Sequence, residues 1–297
     1  MKRLAQELIL HICEYLDDYN STNLIVIMRI NPISYKVKKY IKMGGTHTHK
    51  IKSQIKRVFD VTDIDHLPEY VTHVVFAWYF DEPLNNLPKL LKQLTLGDRF
   101  NKAVNYLPEC LTHLTLGEHF NESVDYLPQS ITHLTLAGVF NQPVDNLPKS
   151  LLELTFGYNF DQSIDNLPES LTHLTLGSGF NNSVDKLPQG ITHLSFGWLF
   201  NWPIDNLPDS VVHLTVGDVF DQPVKKWPKS MTHLIFGARY DQPLVNLPLG
   251  IIHITFGYYF DQLLINLPVS LQKIKLDSRY PFPIVNASFE IEYFEVD

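Results

Sequence analysis

The chain has 297 residues, 44% of them hydrophobic, and a formal net charge of −8 at pH 7. Its only two cysteines, Cys13 and Cys110, lie far apart in the sequence, which argues against a disulfide framework and favours a reducing compartment. We expect an intracellular, cytoplasmic protein without a membrane span, because no apolar run reaches spanning length and Glu7 interrupts the apolar core that a signal peptide would need.

The charge is distributed unevenly along the chain. Residues 1–66 carry 11 Lys/Arg and 7 Asp/Glu, a net charge of +4, so residues 67–297 carry 13 and 25, a net charge of −12. Phosphate binding needs a basic surface, so the acidic part disfavours nucleic acid as a partner.

Residues 1–45 are expected to form a small helical head. An amphipathic first helix is predicted from apolar residues that recur at four-residue intervals, namely Leu4, Leu8, Ile12 and Leu16. A second helix is predicted from residue 20 or 21 through Met28, and a third from Ile33 to Met43, with Pro32 between them. Three such helices make a marginal core on their own, so the head needs a partner or the segment that follows.

The motif Leu4-x-x-Glu7-Leu8-x-x-x-Ile12-x-x-Tyr15-Leu16-Asp17, followed by an apolar second helix, resembles an F-box. The resemblance implies a module that docks on the Skp adaptor of a Skp-cullin-F-box ubiquitin ligase. It also implies adaptor contacts, or the packing behind them, for Leu4, Leu8, Ile12 and Leu16. Ala5 departs from the pattern, since F-boxes usually carry proline there. The alternative interpretation is that the helices only cover the open end of a repeat array.

Residues 46–66 are interpreted as a basic joint and N-terminal cap. No acidic residue stands between Asp18 and Asp60, while lysines accumulate there. A patch for nucleic acid or an acidic partner is one interpretation. We favour a solvated joint, because beyond Tyr40 no aromatic residue interleaves with these lysines to stack on bases.

Residues 67–286 repeat eleven times with a period of twenty residues and no insertion. Proline recurs from Pro68 to Pro268, and an aromatic ring recurs from Phe80 to Tyr280. Asp or Asn follows nearly every ring. A fixed period of this size is typical of a solenoid, in which each unit packs on its neighbours.

One repeat predicts the local structure of all of them. Leu174 and Leu176 alternate with His173 and Thr175, which predicts a short strand, one rung per repeat, in a parallel sheet. The rings are expected to stack in the core, and the Asx residues beside them to satisfy backbone groups at the turns. Gly177 is expected to end the strand, with a positive φ or a close approach to the next unit. The sequence leaves open whether the array has one sheet or two.

Two segments, Phe140-Asn141-Gln142-Pro143-Val144 and Phe200-Asn201-Trp202-Pro203-Ile204, are similar to the FNIP repeat, a relative of leucine-rich repeats. The resemblance implies a leucine-rich-repeat-like solenoid that is mainly β. FNIP repeats are known chiefly from amoebae and from giant viruses that infect them, sometimes behind an F-box-like head. The two resemblances together imply an adaptor that recruits an unidentified protein to a ubiquitin ligase. The alternative is a repeat scaffold with no ligase connection.

A histidine column runs through the predicted strands. Its members are His73, His113, His133, His173, His193, His213, His233 and His253. Neighbouring imidazoles would repel one another when protonated, which raises the hypotheses of a pH switch or a metal site. We favour a structural interpretation, because duplication of a repeat copies its histidines whether or not they act.

The positions just before each ring vary while their neighbours do not, and they are the candidate partner-binding residues. They are Trp78, Tyr79, Arg99, His119, Tyr158, Trp198, Arg239, Tyr258 and Tyr259. Aromatic and arginine side chains are favoured anchors for protein partners. The alternative is that these positions vary because the fold makes no demand on them.

No catalytic, metal-binding or cofactor-binding residue is assigned, and we expect the protein not to be an enzyme. Nearly every Ser, Thr, His and Asp of the array belongs to a repeated column, and no P-loop or dinucleotide-binding glycine pattern occurs. Residues 287–297 are predicted to form a C-terminal cap strand, because apolar and acidic residues alternate from Phe289 to Tyr293.

Overall fold

The computed structural model describes residues 26–27, 57–61, 64, 67, 69–284 and 288–295. The predicted adaptor-binding residues Leu4, Leu8, Ile12 and Leu16 lie outside these ranges, as does most of the predicted helical head. Val26 and Ile27, which the sequence pattern places in the second helix, form a two-residue strand. The rest of that predicted helix lies outside the described residues.

The described strands form one sheet of fourteen parallel strands, in which the spatial order equals the chain order. The strands are β1 (Val26–Ile27), β2 (Arg57–Val61), β3 (His73–Phe76), β4 (Gln93–Thr95), β5 (His113–Leu116), β6 (His133–Leu136), β7 (Glu153–Phe156), β8 (His173–Thr175), β9 (His193–Ser195), β10 (His213–Thr215), β11 (His233–Ile235), β12 (His253–Thr255), β13 (Lys273–Asp277) and β14 (Glu290–Phe294). From β3 to β13 each strand is one rung of the twenty-residue period, so the predicted leucine-rich-repeat-like β-solenoid is confirmed.

The register aligns equivalent residues across the whole array. His113 pairs with His133, and Leu114 pairs with Leu134. Along β5 half-buried and buried residues alternate, so that Leu114 and Leu116 face the core while His113 and Thr115 lie on the other face. The predicted alternation of core-facing and outward-facing residues along each strand is therefore confirmed.

The aromatic rings form a continuous stack inside the solenoid. Successive centroids from Phe80 to Tyr280 lie 5.8–6.4 Å apart, and the rings are nearly parallel. In some turns a second ring lies beside the stack, as where Phe156 lies 3.7 Å from Phe160. Burial of this aromatic column is a main source of the stability of the array.

Tyr240 replaces phenylalanine in this stack and is fully buried. Its hydroxyl has no hydrogen-bond partner among the described residues. Burial, with a smaller contribution from the charge of Asp221, raises the pKa of Tyr240 well above its ordinary value.

Side chains that follow the rings join each turn to the next. The N–H of Asn121 donates to Asn101 Oδ1 at 2.9 Å, and the N–H of Asn141 donates to Asn121 Oδ1 at the same distance. A second ladder uses serine: Ser130 Oγ donates to the carbonyl of Leu111 at 2.6 Å. The turns are thus closed by side chains whose length fits the step between rungs.

The glycine that follows most strands is required by close packing of the backbone. A Cβ built on Gly177 would lie 1.7 Å from the carbonyl oxygen of Gly157, and a clash of that kind recurs at Gly217 with Gly197. Of the two expectations for Gly177, close approach is therefore the one that applies, because its φ is not positive.

The last rung of the array is closed by ion pairs. Lys273 and Lys275 of β13 stand opposite Glu290 and Glu292 of β14. Lys273 Nζ lies 2.6 Å from Glu292 Oε2, and Lys275 Nζ lies 2.8 Å from Glu292 Oε1. Hydrogen bonds from these two lysines lower the pKa of Glu292 to about 2. β14 therefore ends the sheet with a charged outer face, which opposes edge-to-edge pairing.

Two turns near the C-terminal end differ in backbone from the middle of the array. Asn246 and Asn266 have φ values of 55° and 54°, in the left-handed region, as does Asn86 at the N-terminal end with 63°, whereas their equivalents between residues 87 and 245 do not. The leucines on either side of them are only partly buried, namely Leu244, Leu247, Leu264 and Leu267. Equivalent side chains in the middle of the array, such as Val144 and Leu147, are buried.

Candidate protein-binding edge

The two residues that precede each core ring lie in a turn directly after the strand, and we call this row the post-strand edge. A regular main-chain ladder fixes it. The N–H of Arg99 donates to the carbonyl of Trp78 at 2.9 Å, and the N–H of Tyr259 donates to that of Ala238 at 3.0 Å. Because the backbone is hydrogen-bonded from turn to turn, side chains on this edge are held on a rigid support.

The N-terminal end of the edge carries an aromatic cluster. Trp78 is 57% exposed and Tyr79 is 50% exposed, and their rings meet edge to face at 5.5 Å. The guanidinium carbon of Arg99 lies 4.9 Å from the centre of the Trp78 ring. A cation–π contact of this kind contributes about 0.5–1 kcal/mol at an exposed site, which restricts the tryptophan before any partner binds.

The C-terminal end carries a second cluster with a buried anchor. Asp277 stands where most repeats have glycine and is buried, and Arg279 donates to it from both Nε and an Nη, at 2.7 and 2.9 Å. These hydrogen bonds hold the pKa of Asp277 below its ordinary value. The Arg279 guanidinium lies 3.7 Å above the Tyr258 ring, which meets Tyr259 edge to face at 4.7 Å.

A surface cavity of about 500 Å³ opens beside this second cluster. Its lining comprises Asn201, Val219, Asp221, Arg239 and Tyr259. Asp221 is already engaged, because its Oδ1 accepts from the N–H of Asp241 at 3.0 Å and from Gln242 at 2.9 Å. Arg239 and Tyr259 are exposed and supply the cavity with a cation and an aromatic face.

Eight of the nine candidate partner-binding side chains are exposed on this one edge, including those of His119, Tyr158 and Trp198. Tyr258 is half-buried, because Arg279 covers its ring. Arg279 is the residue that sequence reasoning missed. Its signal was present, since it occupies the same place in its turn as Arg99 and Arg239.

The histidine column lies on the outer face of the sheet as a broken stack. Ring centroids lie 4.1 Å apart for His113 and His133, and 4.2 Å apart for His173 and His193. Glu153 interrupts the stack, with Oε1 3.4 Å from Nε2 of His133. The column therefore forms two runs of neighbouring rings, His113–His133 and His173–His253, while Gln93 separates His73 from them.

A threonine orients most of these imidazoles. Thr112 Oγ1 donates to the carbonyl of Lys92 at 3.0 Å and lies 2.9 Å from His113 Nδ1. A hydroxyl has a single hydrogen, so His113 donates from Nδ1 in this arrangement. Val212 replaces the threonine before His213, and the buried Nδ1 of His213 has no partner among the described residues.

Burial lowers the pKa of several of these histidines. The pKa of His113, His193, His213 and His233 lies below its ordinary value, first because of desolvation and second because of neighbouring histidines. Among the described residues no group of three His, Cys, Asp or Glu side chains could hold a metal ion. In the same part of the chain no helix is long and apolar enough to cross a bilayer.

Seven overlapping segments match the family model described as FNIP Repeat. They are residues 100–138, 140–179, 160–197, 180–218, 200–238, 220–259 and 240–279. Together they cover more than half of the chain.

CroV588 and YopM are among the solved structures that resemble the chain. CroV588, described as a novel circular LRR protein, is 28% identical, with a TM-score of 0.45 over 82% of this chain and 54% of that one. YopM from Yersinia enterocolitica WA-314 is 16% identical, with a TM-score of 0.40 over 98% of this chain and 78% of that one. The chain thus spans about half the length of CroV588. No curated protein matches the chain.

Proposed function

Since the chain belongs to the FNIP repeat family, we propose that it is a non-enzymatic interaction scaffold whose solenoid binds a protein partner along the post-strand edge. Repeat solenoids of the leucine-rich-repeat type are generally protein-interaction scaffolds. The observation that carries the proposal is the row of exposed aromatic and arginine side chains on a backbone fixed by hydrogen bonds.

The chemistry of the edge supports a protein partner. Trp, Tyr and Arg are enriched at binding hot spots, and the two aromatic side chains have few rotatable bonds, which limits the entropy lost on binding. The contact between Arg99 and Trp78 and the contact between Arg279 and Tyr258 orient two of these anchors in the free protein. An ordered edge of this kind binds with less rearrangement than a mobile loop would.

A matched pair of variants tests the edge. The full chain is immobilised and the proteins that it retains from a cell extract are compared with those retained by a Tyr158→Ala, Trp198→Ala variant. The control is Tyr106→Ala, Tyr126→Ala, because these tyrosines are 91% and 71% exposed but lie outside the edge. A partner lost with the edge variant and retained with the control supports the proposal. Retention by both variants, or loss from both, contradicts it.

The finer proposal is that residues 1–45 dock on a Skp adaptor, so that the solenoid presents its partner to a ubiquitin ligase in the cytoplasm. Support comes from the F-box-like pattern of Leu4, Leu8, Ile12 and Leu16 in front of an FNIP array. The opposite net charges of residues 1–66 and 67–297 also favour two parts with different partners.

Co-purification with a Skp adaptor tests this finer proposal. The intact chain should retain the adaptor, and a Leu8→Asp, Ile12→Asp variant should lose it, because both changes place a charge on the apolar stripe of the head. The Tyr158→Ala, Trp198→Ala variant should bind the adaptor as the intact chain does. Failure of the intact chain to bind would reject the adaptor role and leave the alternative, a scaffold without a ligase connection.

A further inference from the structure

The side of the solenoid that carries the Leu-Pro turns changes character near its C-terminal end. The fifth residue after each ring is Asp in five consecutive turns, from Asp125 to Asp205. In the two turns that contain Asn246 and Asn266 it is Val245 and Ile265. The residue after the turn proline is polar or charged from Lys89 to Lys229, and then becomes Leu249 and Val269. Two columns thus turn from polar to aliphatic in the same two turns.

These aliphatic side chains are exposed. Leu249 is 84% exposed and Val269 is 97% exposed, while Val245, Leu263 and Ile265 are 45–62% exposed. We call these five residues the aliphatic patch. The left-handed Asn246 and Asn266 lie inside it, and the half-buried leucines beside them add to its apolar area.

The aliphatic patch is also almost free of charge. Residues 242–272 contain one Asp or Glu, which is Asp261, and no Lys or Arg. The rest of the array carries a large excess of acids, so two copies of this chain repel one another over most of their surfaces. At the aliphatic patch they can approach without placing carboxylates face to face.

We propose that the aliphatic patch is the interface of a symmetric homodimer of this chain. A two-fold axis places residue i against residue j and residue j against residue i, so it demands a self-complementary surface. Two successive turns of the same composition provide one, since Val245 can face Ile265 of a second copy while Leu249 faces its Val269.

The area of the aliphatic patch determines how tightly the dimer is expected to associate. Five side chains of this size and exposure cover on the order of 400 Å², about half of the area that each partner contributes to a standard stable interface. The dimer is therefore weak, with a dissociation constant of about 10–100 µM. Added salt should strengthen it, because screening reduces the repulsion between two acidic chains.

Sedimentation velocity of the full chain from about 1 to 200 µM tests the proposal. We expect the intact chain to shift from monomer towards dimer, with a stronger shift at higher salt. In the variant Val245→Asp, Ile265→Asp the association should weaken at least tenfold. Aspartate is the residue that most other turns carry in this column, so this variant should fold, and its circular dichroism and melting temperature verify that.

A second variant removes exposed apolar area elsewhere. Tyr106→Asn, Tyr126→Asn places the asparagine found in most other turns at two exposed positions outside the aliphatic patch, and it should dimerise as the intact chain does. A monomeric intact chain over the whole range overturns the proposal and leaves the patch to a different protein. Dimerisation that persists in the Val245→Asp, Ile265→Asp variant also overturns it. Loss of the dimer in a Leu8→Asp, Ile12→Asp variant would place the interface in residues 1–45 and would overturn it as well.

Discussion

The aromatic stack and the histidine stack repeat with the same period but lie on opposite faces of the sheet. From Phe80 to Phe260 neighbouring core rings are 5.8–6.4 Å apart and buried, whereas neighbouring imidazoles such as His193 and His213 are 4.4 Å apart and half-exposed. A regular column in the sequence therefore does not indicate how much each member contributes. Burial decides that, and the comparison leads to four predictions in order of decreasing effect.

The largest effect is expected where the aromatic stack is interrupted. Phe160→Ala removes a fully buried ring that stacks on Phe140, Phe156 and Phe180, so the free energy of unfolding should fall by about 3–5 kcal/mol. Denaturant unfolding followed by circular dichroism measures it. His173→Gln, in the other column, should change the value by less than about 0.5 kcal/mol at pH 8. Equal losses in the two variants would show that the columns do not differ in this way.

The second prediction concerns Tyr240, a core ring whose hydroxyl has no hydrogen-bond partner in the part of the chain that the structure describes. Tyr240→Phe removes a buried hydroxyl without a hydrogen bond among the described residues, so the free energy of unfolding should rise by about 1–2 kcal/mol. Tyr280→Phe is the control. The Tyr280 hydroxyl donates to the carbonyl of Gln262 at 2.9 Å and accepts from the N–H of Leu264 at 3.3 Å, so that variant should lose about 0.5–1.5 kcal/mol. A loss in both variants would mean that the Tyr240 hydroxyl is satisfied in solution.

A third and smaller effect is expected in the histidine stack. Val212→Thr supplies the hydroxyl that other turns place beside the histidine, and it can bond the buried Nδ1 of His213 and the carbonyl of Thr192. The free energy of unfolding at pH 8 should rise by about 0.5–1 kcal/mol. Val212→Ala separates this hydrogen bond from a simple change in side-chain size, and it should be destabilising. A threonine variant no more stable than the alanine variant would contradict the prediction.

The smallest effect per side chain is the pH dependence of stability. The pKa values of His193, His213 and His233 are lowered in the folded chain, so the unfolded chain binds protons first. Their contribution is complete above the unfolded pKa of about 6.5 and is lost as the pH falls through the lower folded values. The melting temperature should therefore drop between about pH 7 and pH 5. Replacement of all three by Gln, the residue at position 93, should flatten this slope. If the melting temperature of the variant depended equally strongly on pH, the dependence would arise from titratable groups other than these three histidines.

The fold of the array was predictable because each column of equivalent residues has one structural role, such as burial in the core or hydrogen bonding at a turn. The alternation of Leu174 and Leu176 with His173 and Thr175 indicated which face is buried. The Asx column indicated side-chain hydrogen bonds to backbone groups at the turns, but not whether they would stay within one rung or reach the next, as the bond from the Asn121 N–H to Asn101 does. Whether there is one sheet or two did not follow from the pattern. It depends on how the Leu-Pro half of each turn folds, and in the described residues that half contains turns and no strand.

The candidate site was less predictable than the fold. Exposure of Trp78 and Trp198 followed from their position, but the half-burial of Tyr258 depends on Arg279, which lies one turn later. The aliphatic patch could have been found by comparing columns between turns, since Asp205 becomes Val245 two turns on. The left-handed conformation of Asn246 could not, because asparagine occupies the same column in turns where φ is negative.

The Asx ladder has one further consequence. From Asn101 to Asp241 the Oδ1 of each Asx residue accepts a hydrogen bond from the N–H of the next turn, as Asn121 does from Asn141, and its own N–H donates to the previous turn. A whole turn gained or lost inside the array would still join a matching acceptor to a matching donor. The number of turns can therefore vary without redesign of this ladder, whereas the closing strand β14, with its own set of ion pairs, fits only the rung that carries Lys273 and Lys275.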